Sequence, residues 1–232
     1  MGRTSNGGFT LVELTIVITV AALLMALLLP ALSYVRGVAR GTQCLHNLSQ
    51  LGYALALYMD DHRGYIPRRG QGKQPLKKID RASDWFNCLP PLLGSPPFCD
   101  MAAEGTTPKE GDASVLICPA ARDPGGQYFL PYAMNMYLSP WIRRDPHQAD
   151  ELPRPSLLVF MADSPGPYSA TVPSKKPYGV VPRHAGNANL VFVDGHVAAF
   201  EGDYLGCGSG DPRRPDVRWH TDTSGTNQSP VE

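Results

Sequence analysis

Gly8-Phe9-Thr10-Leu11-Val12-Glu13-Leu14 opens an apolar run that continues to Leu29 and leaves one carboxylate, Glu13, inside it. From Phe9 to Leu29 is 21 residues. As a helix that is about 31 Å, close to the thickness of a bilayer hydrocarbon core. A charged side chain costs roughly 2.5–3.5 kcal/mol at the membrane centre and less near an edge. Glu13 therefore asks for a partner.

Three readings fit an apolar segment at this place. A secretory signal peptide would use Arg3 as its basic region, residues 14–29 as its core and Ala31-Leu32-Ser33 as its cleavage site. A plain single-pass anchor would need only the length. The third reading rests on a short polar leader of eight residues ending in Gly7-Gly8, on Glu13 within the run, and on a second helical segment beyond Pro30. On those residues the segment closely resembles the processing site of type IV prepilins and type II secretion pseudopilins.

That resemblance implies cleavage between Gly8 and Phe9 by a prepilin peptidase, and N-methylation of Phe9. A glycine lets an extended backbone enter a protease cleft without a side chain. Cleavage would free an α-amine four residues before Glu13, on the same helix face. In a filament the amine of one subunit would neutralise Glu13 of its neighbour, the assembly role that the resemblance implies. The spacing alone equally allows an intramolecular pair, or a carboxylate snorkelling at the interface. Related pilins also carry a helix-disrupting proline where Pro30 stands. A proline inside a helix removes one hydrogen bond and kinks the axis.

Apolar positions then recur every three to four residues between Tyr34 and His62: Val38, Leu45, Leu48, Leu51, Leu55, Tyr58 and Met59. Polar residues fall mostly between them, so this is an amphipathic helix whose stripe packs on a globular domain. Joined to the membrane half it makes a spine over 9–62, about 80 Å long if continuous. Gly64 and Pro67 end it. The organisation expected is a leader (1–8), the spine with its transmembrane part (9–29), a globular domain (63–207) and a poorly ordered tail (208–232). The fold class is α+β: a long N-terminal helix packed on a loop-rich antiparallel β domain.

Composition narrows the function. With 21 basic and 21 acidic residues the formal net charge is zero, which gives no support for nucleic-acid binding. The 23 Pro and 23 Gly disfavour a compact helical bundle. Residues 68–113 read as a loop layer with a short helix near Asp84–Leu93. Strand signals lie at Ser114–Ile117, Leu157–Met161 and Leu190–Phe200, the last with Asp194-Gly195 as a two-residue hairpin turn. None of the five cysteines forms a C-x-x-C pair, and their odd number leaves the pairing open.

Further in, Cys44, Asn47-Leu48, Gln50-Leu51-Gly52, Tyr58 and Gly64-Tyr65 resemble a pseudopilin subfamily with large C-terminal domains. Leu116-Ile117-Cys118-Pro119 and Tyr132-Ala-Met-Asn135-Met-Tyr137 fit the same pattern. Both Cys44 and Cys118 fall in matching segments, and the resemblance implies a disulfide between them. Arg183-His184 followed by Phe192-Val193-Asp194-Gly195-His196 matches the subfamily's His-x9-Asp-Gly signature, in which His184, Asp194 and Gly195 are structural.

His184, Asp194 and His196, with Asp163 nearby, would also suit a divalent ion or a catalytic group. Neighbouring strand positions point to opposite faces, which opposes full convergence. The expectation is a turn network in which His184 bonds the Asp194 carboxylate or a carbonyl near that turn. No catalytic residue, metal ligand or cofactor is expected. The implied function is a structural subunit, not an enzyme, anchored in the bacterial inner membrane with a periplasmic domain. Its partners would be the prepilin peptidase and other pilin-like subunits. The alternative is a membrane-anchored periplasmic enzyme or ligand-binding domain that uses the prepilin export signal.

Overall fold

The computed structural model describes residues 10–70, 79–126, 129–139, 146–166, 170–171, 179–207 and 214–221. The chain divides into two compact units, Met1–Ala39 and Arg40–Glu232. Helix α1 (Leu11–Asp61) contributes to both and runs through position 30. In the first unit its large apolar side chains, among them Leu11, Ile16, Leu23 and Leu28, are exposed. By length and composition this helix is apolar enough to cross a membrane.

In the second unit α1 buries Cys44, Asn47, Leu48, Leu51, Ala54, Leu55 and Tyr58. Their spacing of three and four residues makes one face of a helix. Val38, counted in the stripe on sequence, is exposed, so the packed face begins at Cys44. The helix ends as its residues require. Gly64 takes φ +81° and its N–H bonds the Met59 carbonyl at 2.8 Å, a left-handed C-terminal cap.

The sheet has strands β1 (Leu130–Asn135), β2 (Val159–Gly166), β3 (Ala170–Thr171), β4 (Asn187–Phe192) and β5 (Val197–Glu201). Their order is β3-β1-β2-β4-β5. All neighbours are antiparallel except β1 and the short β3. Alternation along the strands divides the core into two layers. Tyr132, Met134, Phe160, Val191 and Val193 join the α1 face in the larger cluster. Val159, Ala188, Leu190 and Phe192 form the smaller cluster on the opposite face.

Three expectations need correction here. Ser114–Ile117 is not a strand. Asn47 Nδ2 donates to the carbonyls of Ser114 (3.2 Å) and Ile117 (2.8 Å), holding the segment as a turn beside α1. The loop layer is part of the core: α2 (Trp85–Leu92) buries Trp85, Phe86 and Leu89, and α3 (Phe98–Glu104) buries Phe98 and Met101. Residues 214–221 are not a loose tail. Val217 and Trp219 are fully buried in the second cluster. The Arg218 N–H donates to Leu157 O at 2.7 Å, and the Val159 N–H to Arg218 O at 2.9 Å. Asn135 Nδ2 also donates to the Trp219 carbonyl at 2.8 Å.

Candidate functional site

The first turn of α1 contains Glu13. Thr10 N–H donates to Glu13 Oε2 at 2.9 Å, and the Thr10 hydroxyl donates to the same oxygen at 2.7 Å. Glu13 N–H donates back to Thr10 Oγ1 at 3.3 Å. This is a capping box, in which a Thr and a Glu three residues on satisfy each other's orphan backbone donors. The T-x-x-E spacing of Thr10 and Glu13 ahead of an apolar run is the sequence signal for this box, which the reading of Glu13 as a lone charge does not use. The cleavage and methylation positions Gly8 and Phe9 lie outside the described residues.

A buried polar cluster lies in the second unit. Asp163 on β2 is completely buried. Its Oδ2 accepts from Asn189 N–H at 2.9 Å and stands 3.2 Å from His184 Nε2. Arg183 Nε lies 3.7 Å from Asp163 Oδ1, and its guanidinium also donates to the Ser164 carbonyl. Burial pushes the Arg183 pKa down, and the Asp163 charge opposes that shift. Burial pushes the Tyr132 phenol up, with the nearby Asp163 charge adding to it. His184 is aimed by a two-residue turn. His184 and Asn187 exchange both backbone bonds at 3.0 Å, and Ala185 and Gly186 take φ +52° and +88°. Positive φ at both central positions fits a primed turn, whose twist suits the strand that follows.

His184 thus meets Asp163 and not Asp194, as the sequence had suggested. Asp194 pairs at the surface with His196, Oδ1 to Nδ1 at 2.6 Å. The His196 ring stacks on Phe192 with centroids 4.2 Å apart. The proposed four-residue convergence is two separate pairs, because the polypeptide turns between them. That turn is also longer than expected. Val191 pairs with Val197, and Gly195 N–H bonds Phe192 O at 2.9 Å. Val193, Asp194 and Gly195 make a three-residue loop, with Gly195 at φ +89°.

Gly195 then docks on α1. A Cβ added at Gly52 would lie 2.9 Å from Gly195 O and 2.8 Å from Val191 Cγ2. The helix and the hairpin loop therefore meet backbone to backbone, and only glycine leaves room. Nearby, Cys44 and Cys118 form a disulfide with Cα atoms 5.1 Å apart. His184 Nε2 lies 3.6 Å from Cys118 Sγ.

Residues 3–29 match the family model of the prokaryotic N-terminal methylation motif. The match supports a type IV pilin-like, prepilin-processed protein. The methylation motif together with the exposed apolar half of α1 is consistent with an inner-membrane anchor. It points to a structural subunit, to processing by a prepilin peptidase and to assembly with other pilin subunits. No curated protein and no solved structure matches the chain.

Proposed function

We propose that this chain is a pseudopilin-like subunit of a type II secretion or type IV pilus-like machine. It would be cut between Gly8 and Phe9, methylated on Phe9 and held in the inner membrane with its second unit in the periplasm. The observation that carries this reading is the methylation motif at residues 3–29, continuing into an apolar helix whose large apolar side chains are exposed among the described residues. Such a surface demands lipid or other helices. In a filament it would bundle with copies of itself or with related subunits.

In this reading the His-x9-Asp-Gly signature is a folding device. His184 holds the buried Asp163, and Asp194-Gly195 shapes the loop that meets Gly52 on the helix. A buried pair gives little support to an enzyme with an open cleft, since Asp163 is fully enclosed and His184 nearly so.

Mass spectrometry of the mature N-terminus tests the processing. The expected species begins at N-methyl-Phe9, and Gly8→Trp should accumulate full-length precursor in the membrane. A mature terminus after Ser33 would instead establish a signal peptide.

Glu13 can be tested separately from its capping role. Glu13→Gln keeps the side-chain acceptor of the capping box and removes the charge. Glu13→Gln and Glu13→Ala should both insert and both give less cross-linked oligomer than wild type. Normal assembly of Glu13→Gln would reduce Glu13 to a helix cap.

A further inference from the structure

Three donor atoms meet where α1, the turn at Leu116–Pro119 and the turn before β4 converge, with Asp163 of β2 beside the imidazole. Cys44 Sγ, Cys118 Sγ and His184 Nε2 all lie within 4.8 Å of one another. Asp163 Oδ2 lies 3.2 Å from the same imidazole nitrogen. Cys44, Cys118 and Asp163 are fully buried and His184 is nearly so. We propose that, in the chain whose Cys44–Cys118 disulfide is open, these four groups form a tetrahedral zinc site.

The distances fit a coordination polyhedron. Zinc takes thiolate at about 2.3 Å, imidazole at about 2.05 Å and carboxylate at about 2.1 Å, so tetrahedral edges are about 3.6 Å for S···N and about 3.4 Å for N···O. The structure has 3.6 Å between Cys118 Sγ and His184 Nε2, and 3.2 Å between His184 Nε2 and Asp163 Oδ2. The two sulfurs have to part, to about 3.8 Å, and the Asp163 carboxylate, which stands outside the cluster of three, has to close on them to an S···O edge of about 3.6 Å.

Charge also closes. Two thiolates and the Asp163 carboxylate balance a divalent ion plus the Arg183 guanidinium, so the buried site carries no net charge. Asn189 N–H, donating to Asp163 Oδ2 at 2.9 Å, holds that carboxylate in place. Such supporting bonds normally orient metal ligands. Paired thiolates with an imidazole favour zinc over magnesium or calcium, which take oxygen donors.

The chemistry balances. A dithiol reductant supplies two electrons and two protons as the Cys44–Cys118 bond breaks, and closes its own disulfide. Zinc binding then releases the two thiol protons to solvent. An external disulfide reverses the sequence: it takes the two electrons from the thiolates and two protons from solvent as its own S–S bond opens, Cys44–Cys118 closes, and the metal leaves. Metal and disulfide are alternative staples at one place: the first holds the fold while the cysteines are reduced, the second after they are oxidised. This inference rests on the second unit's geometry alone and is independent of the filament reading.

The test uses the full chain in detergent, reduced with a dithiol, freed of reductant without oxygen and titrated with cobalt(II). The expected result is one equivalent bound, with the intense visible bands of tetrahedral cobalt and a thiolate charge-transfer band, all removed by one equivalent of zinc. The oxidised chain should bind none. Cys118→Ser and His184→Ala should abolish the spectrum, and Asp163→Asn should weaken binding about tenfold or more.

Cys88, Cys99 and Cys207 are the remaining thiols, outside any disulfide. A variant with serine at all three keeps the proposed ligands and should bind as wild type does. Loss of the cobalt spectrum in that variant would place the site elsewhere. No tetrahedral cobalt in the reduced wild type, or its persistence in both Cys118→Ser and His184→Ala, would overturn the proposal.

Discussion

His184 illustrates how one side chain serves a whole region. It is fixed by the turn at Ala185-Gly186, touches Cys118 and faces the buried Asp163. Removing it leaves a buried carboxylate short of a partner, a loss of about 1–3 kcal/mol. His184→Ala should therefore lower the urea midpoint by that equivalent, measured on the oxidised chain, without changing its denaturant slope. Gly52 makes a second residue-scale case. Gly52→Ala would press a methyl group against Val191 and the Gly195 backbone. Overpacking of this kind costs about 1–3 kcal/mol. Alanine is the better helix former, so a stabilised variant would show that the close approach is not what keeps glycine there.

At the scale of elements, α2 carries a pH dependence. Asp84, its N-cap residue, is fully buried and paired with Arg81. Burial pushes its carboxyl from 3.8 up to about 6, outweighing the opposing charge of Arg81. The folded state then binds a proton that the unfolded state has already lost. A carboxyl raised in this way makes stability fall as pH rises between about 4 and 6, the reverse of the usual salt-bridged carboxylate. Thermal melts across that window should show the decline, and Asp84→Asn should flatten it. An unchanged slope in Asp84→Asn would assign the pH dependence to another group.

Over the whole molecule, the sheet needs cover on both faces. One face takes α1, α2 and α3; the other is closed by the chain around Leu205 and by residues 214–221. Trp219 is the largest side chain of that closing segment and is completely buried. Trp219→Ala should cost about 3–5 kcal/mol, read from denaturant unfolding. A loss below about 0.5 kcal/mol would mean that this face stays closed without it. The Cys44–Cys118 bond closes a span of 74 residues between α1 and the turn before the sheet. In the chain-entropy account such a bridge stabilises by about 4 kcal/mol. The Cys44→Ser, Cys118→Ser double variant should unfold at correspondingly lower denaturant.

The local patterns determined the elements that depend on them. A long apolar run and then a three-to-four period gave α1, the apolar stretch at 157–161 gave β2, and Asp194-Gly195 announced the β4–β5 hairpin. These signals work because the residues that set them are neighbours in the chain. Only the tertiary structure decided who pairs with whom. Asp163 and His184 are 21 positions apart, and the fold alone brings them within 3.2 Å. Trp219 lies in a Gly-, Pro- and charge-rich stretch that looks like a tail, yet the uncovered face of the sheet recruits it. Strand β1 carries the Tyr-x-Met-Asn pattern but no strand signal in its sequence. It is buried along its whole length, so it lacks the alternation that marks a strand with one wet face. Burial is a property of the assembled sheet, and no window of sequence contains it.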